Sequence, residues 1–281
     1  MSSALHCATL AAYILATGLY LAFVVWQRRS LHLAGRVALW AGFGLHTLAI
    51  CSAWLESGAL PATNLRQSLD IFSWGLMGAS LVINLRRDVM ILGALTAPLC
   101  SLLLLAASVL PMPDAPPSKL LSSLWVAVHV ITVLAAYGLL AVTFLGGVLY
   151  LAQDSLIRAK NLGAAFRRLP SLTRLDALNH SALVAGFILL TVGLITGAIY
   201  AQIKLGSYWR WDPKEVWALI TWLLYAALIH TRLVQGWRGR RGAWLGALAF
   251  GVLLFTFLGV GLLFPGYHAF DSLPKLEGNL P

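Results

Sequence analysis

Gly206 to Trp217 reads GSYWRWDPKEVW, a polar and aromatic strip set between two long apolar runs. Within it Tyr208, Trp209, Trp211 and Trp217 are interleaved with Arg210, Asp212, Lys214 and Glu215. Part of the strip has a local explanation. Asp212 is a good N-cap, Pro213 suits the first helical position, and Glu215 stands three residues after the cap, so DPKE predicts a capping box opening a helix. The rings have a general one too, since Trp and Tyr collect at bilayer interfaces. A belt needs only scattered rings, however. This density, with Arg210 and Lys214 beside it, also suits a flat, apolar, anionic ligand, because ligand pockets combine apolar surface with a few placed polar groups.

Haem fits that description: a planar macrocycle for the rings, propionates for the basic groups, and an iron that takes axial imidazoles. Seven histidines are present. His129 and His268 fall at the ends of apolar runs on the same side as the strip and could form a bis-imidazole pair. His230 lies deep in the run that follows the strip, about 21 Å below its start by helical rise. An ionisable group at such a depth usually faces a cavity or a ligand, although a histidine beside Arg232 could also reach the interface. His46 is similarly deep without an aromatic cluster and is the weakest candidate.

The elements that must position these groups are membrane helices. Of the 281 residues 59% are hydrophobic and 11% charged, and the mean hydropathy is +0.81. That is more apolar side chain than a water-soluble core of this length could hide. Runs long enough to cross the hydrocarbon recur at about 5–26, 34–55, 68–85, 89–110, 120–151, 179–203, 215–235 and 243–264. The expectation is an all-α integral membrane protein of about eight transmembrane helices, one polytopic domain over 1–281, with the tryptophan-rich strip before the seventh. The first run lacks a basic start and a small-residue cleavage site, so it reads as a helix rather than a cleaved signal. The fifth is too long for one perpendicular crossing and is expected to tilt, or to protrude outward from about Leu120.

Charge sets the orientation. Fourteen of the 20 Lys and Arg fall in one alternate set of connections and six in the other. The richer set should face the cytoplasm, leaving both termini and the strip outside. The net charge of +10 is mostly this bias and gives no reason to invoke nucleic acid. Cys7, Cys51 and Cys100 stand singly, without C-x-x-C spacing, which excludes a dithiol redox motif and covalent c-type haem attachment in this chain.

The stretch GSYWRWDPKEVWALITWLLYAALIHTR, Gly206 to Arg232, resembles the tryptophan-rich signature of the haem-handling proteins of cytochrome c assembly, specifically the CcsA or ResC type. LHTLAI with PATNLRQSLDIFSWGL, HVITVLAAYGLLAVTFLGGVLYL and FLGVGLLFPGYHAF resemble other parts of that family. Leu205 stands where the signature usually has a tryptophan, and Gly261 and Leu262 depart from its C-terminal pattern.

The resemblance implies a haem-binding membrane subunit of a cytochrome c synthase. Haem b, its transported substrate, is held externally between His129 and His268 with Tyr208 to Glu215 at its edge, while His230 serves as a transmembrane ligand. It further implies apocytochrome c with a C-x-x-C-H segment and a CcsB-type membrane partner. The location implied is a plasma membrane with the site facing the periplasm, or a thylakoid membrane if the chain is plastid-encoded. Two other readings stay open: a CcmC-type haem exporter that forms no thioether, and an assembly protein of the same fold that binds no haem.

Overall fold

The computed structural model describes residues 2–62, 64–87, 89–111 and 123–264. Among these the chain is helical and carries no strand. The helices are α1 (Ser2–Trp26), α2 (Arg29–Ser57), α3 (Leu65–Arg87), α4 (Leu92–Val109), α5 (Leu124–Arg158), the short α6 (Ala164–Arg168), α7 (Leu172–Leu205), α8 (Pro213–Val234), α9 (Arg240–Leu254) and, after a π-helical turn at Phe255–Gly259, α10 (Val260–Leu263). Eight segments are long and apolar enough to cross a bilayer, the last formed by α9, the π turn and α10 together. The eight predicted spans are all present, most of them longer than the apolar runs because polar first and last turns continue the helix beyond the hydrocarbon.

Side-chain ties gather the connections at two ends. At one, Arg168 donates to the Val25 carbonyl oxygen at 3.2 Å, Arg87 donates to the Ser181 hydroxyl, and Arg232 pairs with Asp176 at 2.6 Å. Arg240 reaches Asp154 at 3.7 Å there. This is the arginine end. At the other, the tryptophan end, Arg66 donates to the Leu110 carbonyl oxygen at 3.0 Å, and Asn64 Oδ1 accepts from the Gln67 N–H at 3.0 Å, opening α3.

α5 is the central helix. Between α3 and α5 the backbones touch: a Cβ on Gly138 would collide with the Gly75 carbonyl, and one on Gly146 would collide with Asn179 of α7. Small residues allow such approach where lipid offers no hydrophobic drive, so van der Waals contact holds the helices together. The extra length of α5 lies at the arginine end, through Arg158, where Asp154 pairs with Arg158 at 2.9 Å and Gln153 donates to the Phe166 carbonyl oxygen at 3.4 Å. At the tryptophan end the described helix starts at Leu124, with Ser123 as its N-cap.

The first three helices enclose a polar chain. His46, with no solvent exposure, donates from Nε2 to Asp70 Oδ1 at 3.2 Å, and His6 donates from Nε2 to Asp70 Oδ2 at 2.9 Å. The Tyr13 hydroxyl completes the chain at His46 Nδ1, 3.3 Å away. A carboxylate inside the membrane needs such partners, because an unpaired charge there is costly. Cys100 is buried against the Ser73 carbonyl oxygen at 3.5 Å, whereas Cys7 and Cys51 are free thiols on the outside of the bundle.

Candidate functional site

His129 sits in the second turn of α5 at the tryptophan end. Its Nδ1 lies 2.8 Å from the carbonyl oxygen of Gly193 on α7. A carbonyl only accepts, so Nδ1 carries a proton and donates it to Gly193, which fixes the orientation of the ring. The seat exists because of two glycines one turn apart. A Cβ at Gly197 would stand 2.7 Å from His129 Cε1, and one at Gly193 would stand 2.5 Å from Val133 Cγ2. Sequence reasoning passed over this pair, although GLITG, Gly193 to Gly197, is a small-xxx-small motif and was there to be read.

From Gly197, α7 runs on about 13 Å by helical rise to Gly206, whose left-handed conformation (φ 75°) ends the helix. The strip then folds back on itself. The Ser207 hydroxyl donates to the Trp209 carbonyl oxygen at 2.8 Å, and Trp209 and Trp211 meet edge to face with centroids 5.8 Å apart. Trp211 holds φ at 60°, a left-handed backbone that a bulky residue rarely adopts. The turn presents aromatic surface outward: Tyr208 is 62% and Trp211 77% exposed.

The predicted capping box forms in modified shape. Asp212 is the N-cap of α8, its Oδ1 accepting from the Lys214 N–H at 2.9 Å. Glu215 reaches further back than a capping box would, to the Arg210 N–H at 2.8 Å, because the left-handed Trp211 turns that amide towards the helix start. One carboxylate therefore fixes the cap and the other fixes the loop. Behind them Trp217 packs on Phe255 with centroids 4.6 Å apart. The Thr221 and Thr256 hydroxyls meet at 2.8 Å, and Thr256 also donates to the Trp217 carbonyl oxygen at 3.2 Å. Both Phe255 and Thr256 belong to the π turn, so the irregular turn is what docks the last crossing on the root of the loop.

The other candidate histidines part company. His46 has both ring nitrogens engaged by Tyr13 and Asp70, far along the chain from the strip. His230 lies about 26 Å along α8 from Pro213, one turn from the arginine end, and its side chain is exposed on the outside of the bundle. It shares a surface stripe with Leu219, Leu223, Ala227 and Val234, while Thr221, Tyr225, Leu228 and Arg232 form the buried stripe opposite. His268 lies outside the described residues. His129 and the strip thus share the tryptophan end, and His230 stands apart from them.

Residues 62–268 match the family described as cytochrome C assembly protein, a span that takes in His129, the strip and His230 and ends at His268. The chain belongs to the cytochrome c assembly family. It is 36% identical over 247 residues to the cytochrome c biogenesis protein CcsA of Guillardia theta, covering 81% of this chain and 82% of that protein. To the CcsA of Synechococcus sp. (strain CC9605) it is 34% identical over 273 residues, with 87% and 90% covered. Among solved structures it superposes on a cytochrome c heme lyase, CcmF, with a TM-score of 0.67 at 19% identity. That likeness covers 92% of this chain but 46% of CcmF, and it is a likeness of fold. A multi-pass membrane protein of CcsA-type cytochrome c biogenesis accounts for the helices and the matches alike.

Proposed function

We propose that this protein is the haem-binding subunit of a cytochrome c synthase, holding haem at the tryptophan end, outside the cytoplasm, for covalent attachment to an apocytochrome C-x-x-C-H segment. The observation that carries the reading is the His129 seat: an imidazole held through Nδ1 by the Gly193 carbonyl, with an exposed aromatic loop at the same end of the same bundle. Haem is here the cargo. His129 and His268 are its axial ligands, Tyr208, Trp209 and Trp211 cover the macrocycle edge, and Arg210 and Lys214 face the propionates.

The chain's own part in the chemistry is positional. In the reaction each cysteine S–H adds across one vinyl C=C. A carbon–sulfur bond forms, the proton ends on the neighbouring carbon, and no electron is gained or lost. Fixing one partner in such a bimolecular addition is worth several kcal/mol, about 7–11 at best. Glu215 and Asp212 hold the loop in one shape before the peptide arrives, so little ordering remains to be done at that moment. His230, on an exposed stripe near the arginine end, suits a separate transmembrane station completed by a CcsB-type partner packed against α8.

The test is to purify the full chain from haem-replete cells, with its CcsB-type partner, and record oxidised and reduced absorption spectra of the wild type, His129→Ala and His268→Ala. A low-spin spectrum that turns high-spin or fades in both variants supports the reading. A wild type without haem, under conditions that load another haem protein, removes it. Thioether formation on a co-expressed C-x-x-C-H peptide separates a synthase subunit from a CcmC-type exporter, which would bind haem and attach none.

A further inference from the structure

At the arginine end a cavity of about 230 Å³ opens between α7 and α8, walled by Asp176, His180, Arg232, Leu233 and Arg238 among others. Its charges are unevenly committed. Asp176 is spent on Arg232, at 2.6 Å, and on the Gly239 N–H, at 3.3 Å, which together fix the turn between α8 and α9. Arg238 is exposed, and among the described residues its guanidinium makes no ion pair. The Nδ1 of His180 is buried and has no hydrogen-bond partner. Such an atom calls for a partner, and one water would suffice. The space is several times larger than one water needs.

The cavity lies beside the His230 stripe. Leu233, in its wall, follows His230 by three residues, so the two are neighbours on the surface of α8 and separated by about 4.5 Å of rise. We infer that this cleft is the docking site for the carboxylates of a haem carried on the exposed face of α8, with Arg238 and His180 as their partners. The inference rests on the haem reading above and adds residues to the transmembrane station. Arg238 supplies a charge-assisted fork for one carboxylate, and His180 Nδ1 a donor for the other. Leu223 and Ala227, further along the stripe, offer apolar surface to the macrocycle. The carboxylates would then stand at the membrane–water boundary and the ring in the hydrocarbon, with neither in the wrong solvent.

An anionic lipid headgroup presents similar chemistry at the same depth, so the experiment separates the two sources. The full chain is placed in nanodiscs of phosphatidylcholine and titrated with ferric protoporphyrin IX and with its dimethyl ester, following the Soret band. The expected result is a preference of about tenfold or more for the free acid in the wild type, a charged hydrogen bond being worth at least that. Arg238→Ala and His180→Ala reduce the preference while binding the ester as the wild type does; Arg238→Lys restores part of it. His230→Ala weakens both ligands and alters the spin state.

Wild-type preference retained in both Arg238→Ala and His180→Ala overturns the proposal and leaves the haem station standing. So does phosphatidylglycerol that co-purifies with the wild type, is lost from Arg238→Ala, and leaves the preference unaltered; the cleft is then a lipid site. Neither macrocycle binding to a wild type that melts cooperatively removes the haem reading itself.

Discussion

His129 and Gly193 are joined by a hydrogen bond of 2.8 Å between helices whose residues stand 64 positions apart, and the bond sets a proton on Nδ1 of the imidazole. A turn further along α7, Gly197 leaves the room that the ring occupies. The orientation of that imidazole is therefore set by the closeness of two backbones beneath it.

Gly197→Ala should dislodge that ring. The added Cβ would stand 2.7 Å from Cε1, so either His129 or α7 must shift. The expected cost is about 1–3 kcal/mol of stability, with a low-spin haem spectrum turning high-spin. Gly44→Ala, where a Cβ meets nothing within 4 Å, should leave the spectrum alone and raise the melting temperature slightly. Equal spectra in the two variants would count against the seat.

Asp70→Ala tests the buried chain of α1 to α3. Its removal strips His46 and His6 of their acceptor, at 3.2 and 2.9 Å, and should destabilise the protein by about 3–5 kcal/mol. Thermal melting in detergent should show the loss, while the haem spectrum of the surviving folded fraction stays that of the wild type. A changed spectrum would connect His46 to the cargo after all.

Trp211→Gly separates backbone from ring. A left-handed φ of 60° costs a side-chain-bearing residue about 1–2 kcal/mol, so the variant should melt no lower than the wild type. Thioether formation on a C-x-x-C-H peptide should nevertheless fall several-fold. Trp211→Phe keeps a ring and should retain most of the yield.

Thr256→Val removes the hydroxyl that joins Thr221 at 2.8 Å and the Trp217 carbonyl at 3.2 Å. About 1 kcal/mol of stability should go with it, since the Thr221 hydroxyl loses one of its two partners and keeps the Trp217 carbonyl oxygen at 2.8 Å. The diagnostic readout is protease sensitivity between Gly206 and Asp212. It should rise if the π turn steadies the root of the loop, and stay unchanged if it does not.

Much of this architecture was legible before any coordinates. The crossings show themselves because apolar runs of that length have one solution in a bilayer, and Asp212 because a cap, a proline and a glutamate in that order state where a helix starts. Glu215 was half legible: its role as a cap partner follows from spacing, but its actual donor, Arg210, depends on a left-handed Trp211 that no pattern announces. His6, Asp70 and His46 were illegible as a group, since nothing local connects residues 64 and 24 positions apart. His129 was picked out by its place in the chain, while the means of holding it, Gly193 and Gly197, lay in plain view as spacing without a partner to give it meaning.

The backbone contact of Gly138 with Gly75, and the fit of Asn179 against Gly146, turn α3, α5 and α7 into something like a keel. α8 is moored to this keel from the side, by Trp222 Nε1–H donating to the Thr191 hydroxyl at 2.9 Å and by Arg232 on Asp176 at 2.6 Å. The crossing that follows α8 lies against the keel as well, with Phe250 stacked on Phe144 of α5 at 4.6 Å between ring centroids. His129 is carried on that keel, in the second turn of α5.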